Sequence, residues 1–404
     1  MASLLLVVRV ECQPQLNKRR QEDVSTKKHK MSKIFSTLLF VLVTSFNLLA
    51  QTTYVFIGSY CADKTTEGVY VYKLNEATGA LTKITSIKNI INPSYLALSP
   101  NGKYVYSCTE TATPEDGGVS SFEFNAKDKS LTFLSRQKSG GDNPAHISVH
   151  KNGKWLMCGN YSGGSLSVFP LSSDGKIEPF TQMIEFKDSG VVKNRQEKSH
   201  IHQAVFSPNY DYVFFPDLGS DKIRNYKFDG TKTMPLLDME NPYTKTAAGS
   251  GPRHFDFHPN GKFAYCVEEL SGTLSAYSYK AGKLENIQTD YDYSEKHSEG
   301  FGGADVHISP DGKFLYASNR GIENNIGIFS IGANGKLKLV GHQSTLGNHP
   351  RNFSLDPTGK FLLVANKNTG EVVVFKRNAT TGLLTDTGHQ IKLSNPSCVK
   401  MRVY

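Results

Sequence analysis

The stretch GPRHFDFHPNGKFAYCVEEL, Gly251 to Leu270, reads as strand, tight turn, strand: FDFH, then PNGK, then FAYCV. Apolar and polar residues alternate as they do on half-buried strands. Pro followed by Asn-Gly is turn chemistry, because Pro presets φ and Gly takes φ > 0 at little cost. Charged groups sit at both ends, with Arg253 and His254 where the first strand begins and Glu269 where the second finishes. A hairpin brings the chain back to the side on which it entered, so Arg253 and Glu269 are expected to be neighbours.

The pattern recurs along the chain. It is found in NPSYLALSPNGKYVYSCTE from Asn92, NPAHISVHKNGKWLMCGNY from Asn143, HIHQAVFSPNYDYVFFPDL from His200, GADVHISPDGKFLYASNRG from Gly303 and HPRNFSLDPTGKFLLVANK from His349. The central turns at Pro100, Lys151, Pro208, Pro259, Pro310 and Pro357 are 51, 57, 51, 51 and 47 residues apart. Each unit continues with a Gly-led strand such as GVSSFEF or GEVVVF, a turn ending in Gly-x-Leu or Gly-Lys-Leu, and a fourth strand. One small antiparallel sheet per period of about fifty residues describes the blades of a β-propeller. No helical period competes with this reading after residue 50.

Six units are complete, and the two ends of the chain supply a seventh. YVFIGSY from Tyr54 has the character of a second strand and NPSCVKMRVY at the end that of a first strand. Pairing 397–403 with 54–59 closes the ring and removes two open sheet edges. The expected fold is all-β: a seven-bladed β-propeller with four antiparallel strands per blade, formed by residues 51–404 as a single domain.

In such a ring the first strand of each blade lines the central channel, so strand entries and second-strand exits face one end. The entries carry His146, His200, His202, Arg253, His254, Asp305 and Arg351. The exits carry Glu110, Asn160, Asp217, Glu268, Glu269, Asn319, Arg320 and Asn366. A funnel of arginine, histidine and carboxylate suits a small, oxygen-rich, anionic ligand, since Arg offers a planar fork of donors and His moves protons near neutral pH.

The first fifty residues read differently. Residues 1–30 form a polar, basic N-terminal extension without apolar period, and 31–50 (MSKIFSTLLFVLVTSFNLLA) have the charge, apolar run and small terminal residue of a signal peptide. The expectation is a periplasmic or secreted protein that keeps no membrane attachment once the leader is removed. These fifty residues supply +5 of the formal net charge of +9, and the mild remainder argues against a nucleic-acid partner. Of the six cysteines only Cys12 lies within the first fifty residues, in the extension; the other five form no CxxC pair, and Cys158 and Cys266 fall at matching core positions of their hairpins.

SHIHQAVFSP with PDLGSDKI, GSGPRHFDFHPNGKFAYCVEEL, SPDGKFLYASNRG and HPRNFSLDPTGKFLLVAN together resemble the seven-bladed propeller lactonases. That family includes bacterial 6-phosphogluconolactonases of propeller type and fungal 3-carboxymuconate lactonising enzymes. The resemblance covers 54–404 and implies a lactonase, a carboxylic ester hydrolase acting on a small-molecule sugar lactone. It implies no cofactor and no metal, and the expected working form is a monomer. By resemblance the active-site histidine falls on His202, beside His200. The arginine and glutamate of one blade fall on Arg253 and Glu269, with Glu268 and His254 as neighbouring alternatives, and a substrate-binding arginine falls on Arg351. Arg320 and Asn319 join the substrate-binding set. In this reading His202 or Glu269 activates a water, and the arginines stabilise the oxyanion.

Three rivals accompany it. A propeller that holds a divalent cation would use Glu110, Asn160, Asp217 and Asn319 as oxygen ligands. A muconate-type cycloisomerase would run the ring chemistry in reverse on the same arginines. A non-catalytic secreted propeller would bind glycan or protein on its rims. No Gly-x-Ser-x-Gly elbow supports a serine triad.

Overall fold

Seven antiparallel sheets follow one another along the chain, one per repeat. The structure is a computed structural model that describes residues 51–112, 117–295, 297 and 300–404. The expected extension (1–30) and signal peptide (31–50) lie outside the described residues. Blades 1 to 6 are counted here by the turns at Pro100 through Pro357. Blade 7 joins Pro396–Val403 from the end of the chain to Thr53–Ser59, Val69–Leu74 and Leu81–Ile87 from its beginning.

Each blade but blade 3 is a simple meander, and the first strands of those six neighbour one another in order around the centre. Second strands lie between flanking sheets on both faces and are continuous buried runs: TYVFIGS at Thr53–Ser59, WLMCGN at Trp155–Asn160 and FLLVAN at Phe361–Asn366. Fourth strands mix half-buried and exposed residues, as at Leu384–Lys392, where only Leu384 is fully buried. The core is therefore a set of apolar layers between blades. Phe314, Tyr316, Ile326 and Ile328 of blade 5, for example, pack on Phe353, Leu362, Val364 and Phe375 of blade 6. Cys61, Cys108, Cys158, Cys266 and Cys398 are all buried and unpaired, as core residues of such layers.

The ring closes as the termini suggested. Thr53 pairs with Val403, Val55 with Met401 and Ile57 with Val399, up to a bulge at Gly58/Ser59. At the far end, the side chains of Asn101, Asn152, Asn260 and Asp311 each accept the N–H two residues on. The glycine after each is left-handed, with φ between 69° and 74°. These are Asx-stabilised turns, which explains the recurring Asn/Asp-Gly-Lys.

Blade 3 departs from the repeat. Its inner strand shrinks to Val205–Phe206 plus an isolated bridge between Ile201 and Asp217. Its outer edge is shared by Leu236–Leu237 and an extra strand, Tyr243–Lys245. Pro242, between them, has no N–H to give to a ladder, although its carbonyl accepts from Asn225.

Candidate active site

One hydrogen bond, repeated in all seven blades, builds the mouth of the channel. A residue at the entry to each inner strand offers its carbonyl to the N–H of the residue just past the second strand. Gly251 accepts from Glu269 at 2.8 Å, and His349 from Lys367 at 3.0 Å. The bond fixes a rim of seven side chains: Tyr60, Glu110, Tyr161, Leu218, Glu269, Arg320 and Lys367. The accepting residue is left-handed in five blades: Asn92, Asn143, Gly251, His349 and Asn395 have φ between 42° and 63°. Asn and Gly tolerate that region best, which accounts for the Asn-Pro and Gly-Pro entries.

Below the rim the inner strands slip register at Pro144/His146, Pro252/His254 and Pro350/Asn352. A bulge leaves an extra residue on one strand and re-aims its side chain. Arg253 and His254, and likewise Arg351 and Asn352, consequently line one small cavity of about 10 Å³ together with His202 and Tyr95. That is room for one water-sized group.

Glu269 organises one side of the funnel. Its carboxylate meets Arg253 Nε at 2.8 Å, Arg320 Nη2 at 2.8 Å and Arg195 Nη2 at 2.5 Å. Burial alone would push this carboxyl up, but Arg320, Arg253 and Arg195 together hold it below the usual carboxylate range. Arg253 is itself fully buried and donates to the carbonyl of Ala304. The neighbours predicted from the hairpin are thus in contact.

His202 and His254 stand on the floor with ring centroids 5.2 Å apart. Asp305 accepts from Nδ1 of His254 at 2.6 Å and also contacts His307 and Asn352. Nδ1–H donation leaves Nε2 of His254 as the ring's lone-pair nitrogen. Among the described residues, neither that Nε2 nor Nδ1 of His202 has a hydrogen-bond partner. Burial, reinforced by Arg253, keeps the pKa of His202 well below the ordinary histidine value. Burial and Arg253 push His254 down to about 4 against the pull of Asp305. Both rings are neutral near pH 7 and able to accept a proton.

The opposite side is less tightly paired. Glu110 takes hydrogen bonds from Tyr60 Oη, at 2.6 Å, and from Ser94 Oγ. The nearest approach of Arg351 to it is a looser 3.7 Å. Arg351 and Lys367 lie 5.2 and 5.0 Å from the centroid of the Tyr60 ring.

Several residues named from sequence stand elsewhere. Asn319 faces away from the funnel, with Nδ2 donating to Asp292 O at 2.8 Å and to Asn325 at 3.1 Å. Arg320, one residue further, is the rim residue. Glu268 turns into its own blade toward Thr273 and Ser275. His200 stacks on Tyr161 and contacts that residue's carbonyl at 3.0 Å and Glu197 at 3.1 Å, beside the funnel. The oxygen-ligand set does not converge: Asp217 is paired with Arg224 at 2.7 Å, and Asn160 bonds Ser165 at 3.0 Å. Among the described residues no group of three or more His, Cys, Asp and Glu is placed to hold a metal ion. Arg195, Tyr161, Tyr60 and Lys367 are additions. A uniform rule, one residue past each second strand, would have found all but Arg195.

Residues 54–401 match the family model described as lactonase, 7-bladed β-propeller. A 6-phosphogluconolactonase of Formosa agariphila is 43% identical over 354 residues, covering 87% of this chain and 99% of that protein. A 6-phosphogluconolactonase of Bacillus subtilis is 34% identical over 355 residues, again covering 87% and 99%. The structure of the periplasmic gluconolactonase of Pseudomonas aeruginosa superposes with a TM-score of 0.81 at 31% identity, covering 87% of this chain and 99% of that one. Fold, repeat and sequence agree, and this chain belongs to the seven-bladed β-propeller lactonase family.

Proposed function

We propose that this chain hydrolyses a sugar lactone of the 6-phosphogluconolactone type. The observation that carries the reading is the floor of the funnel, where two neutral imidazoles with unpartnered nitrogens share one small cavity with Arg253 and Arg351. His202 takes a proton from water as its oxygen bonds to the ring carbonyl carbon. His254, held by Asp305, accepts the water's other hydrogen and positions it. Arg253 stabilises the oxyanion that develops on the carbonyl oxygen. Collapse of the intermediate breaks the bond to the ring oxygen, which recovers the proton from His202, leaving an open hydroxy acid. Glu269 is a clamp for three guanidiniums and not the base, because its proton affinity is suppressed.

Acid release from gluconolactone and its 6-phosphate by the purified chain tests this. His202→Ala should cut kcat by about 10²- to 10⁴-fold. Spontaneous rates only, with the intact chain, would refute the reading. Turnover of a muconate but of neither lactone would reassign the chain to ring formation, and a His202→Ala variant with full function would favour a non-catalytic binding propeller.

Every residue of this mechanism comes from one closed ring, which supports action as a monomer. The likeness to a periplasmic gluconolactonase supports export, with 31–50 as the leader. Among the described residues no helix is long and apolar enough to cross a membrane. Mass spectrometry of the protein recovered from a periplasmic fraction should find a chain beginning at or near Gln51.

A further inference from the structure

The cations of the funnel fall into two groups. Arg195, Arg253 and Arg320 all contact Glu269, and Arg320 also donates to the carbonyls of Gly302 and Gly303. Among the described residues, neither Arg351 nor Lys367 is at ion-pair distance from that carboxylate. Arg351 reaches only to 3.7 Å from Oε1 of Glu110, while Tyr60 and Ser94 both donate to its other oxygen, Oε2. Lys367 has no carboxylate within ion-pair distance among the described residues. Both stand against the ring of Tyr60, Arg351 5.2 Å and Lys367 5.0 Å from its centroid, and among the described residues neither side chain donates a hydrogen bond.

We propose that Arg351 and Lys367 form a subsite for a phosphate monoester carried by the lactone away from its ring carbonyl, and that Lys367 sets the preference for a phosphorylated over an unphosphorylated sugar. The proposal rests on the lactonase reading and adds to it the part of the substrate that chooses. The site has the chemistry of phosphate recognition: a planar fork from Arg351, a point charge from Lys367, and a ring that fixes both stems. Arg351 lines the floor cavity while Lys367 belongs to the rim, so together they run from the reacting centre outward. Like-charge crowding also asks for an anion, since burial and then Arg351 lower the pKa of Lys367 despite the opposing pull of Glu110.

Calorimetric binding of 6-phosphogluconate and of gluconate to the intact chain, to Lys367→Gln and to Lys367→Arg tests the subsite without relying on turnover. The phosphorylated acid should bind more tightly to the intact chain. That advantage should fall about tenfold in Lys367→Gln and be largely kept in Lys367→Arg, because one charge-assisted contact is lost in the first and retained in the second. Added salt should shrink it. Equal binding of the two acids, binding of neither, or an advantage untouched by Lys367→Gln would overturn the proposal. Should the intact chain hydrolyse neither lactone and yet show the Lys367-dependent advantage, the subsite stands and the lactonase reading falls.

Discussion

Glu269 is one carboxylate shared by three guanidiniums in a site that excludes most water. Removing its charge leaves Arg253, fully buried, beside Arg320 with no carboxylate at ion-pair distance among the described residues. Glu269→Gln should therefore destabilise the fold by about 3 kcal/mol, readable as a lower urea midpoint with an unchanged slope. The imidazoles set the pH behaviour. His202 must be neutral to act, and its pKa is depressed, so kcat/KM should hold steady down to the ordinary histidine value and fall only below it. Arg351→Gln removes a positive charge that disfavours the imidazolium, so the pKa rises and the acid limb should move to higher pH. An unmoved limb would mean that another group titrates. Arg253 and Glu269 were legible in the sequence because a two-strand hairpin fixes where its ends meet. Arg195 was not, since it lies in a loop between blades 2 and 3 that belongs to no repeat. At Asn319 and Arg320 the reading took in both neighbours, of which Arg320 stands on the rim: alternation sorts faces along a strand but loses its grip where the strand stops.

At the scale of elements, the bulged entry and the repeated carbonyl-to-amide bond place the rim. Gly251 shows how much depends on them. It is left-handed with φ 63°, its carbonyl holds Glu269 N, and a Cβ there would come within 2.6 Å of Leu270 Cγ. Gly251→Ala should cost about 2 kcal/mol from αL strain and the shift of Leu270 and should lower kcat/KM by displacing Glu269. Gly251→Asn should be milder, as asparagine fills the corresponding place in blades 1, 2 and 7. Thermal melts and lactone kinetics on both variants check the order. The blades were legible because hairpins with Pro-Asx-Gly turns repeat at near-constant spacing. Blade 3 was legible as a unit, but its shortened inner strand and split outer edge were not. Single-strand periodicity does not record that Ile201 makes only an isolated bridge.

The whole molecule depends on blade 7, the one sheet assembled from both ends. Deleting 397–404 removes the inner strand of that blade and uncovers the ladder face of Thr53–Ser59. The truncated chain should lose its cooperative unfolding transition or precipitate. The single tryptophan, Trp155, sits between blades 2 and 3 and reports whether the far side of the ring responds. Closure itself was the part of the fold the termini announced most plainly, since each end resembled a strand that the other lacked.

Joining residue 53 to residue 403 also imposes an order in time. At about 5–20 residues per second of synthesis, roughly 20–70 s separate the emergence of Thr53 from a ribosome and that of its partner. Throughout that interval six blades can stack while an apolar strand waits, its amides unanswered. The contact of greatest sequence separation is the last available and among the slowest to find. A newly made chain is thus most exposed to misassembly just before it is complete.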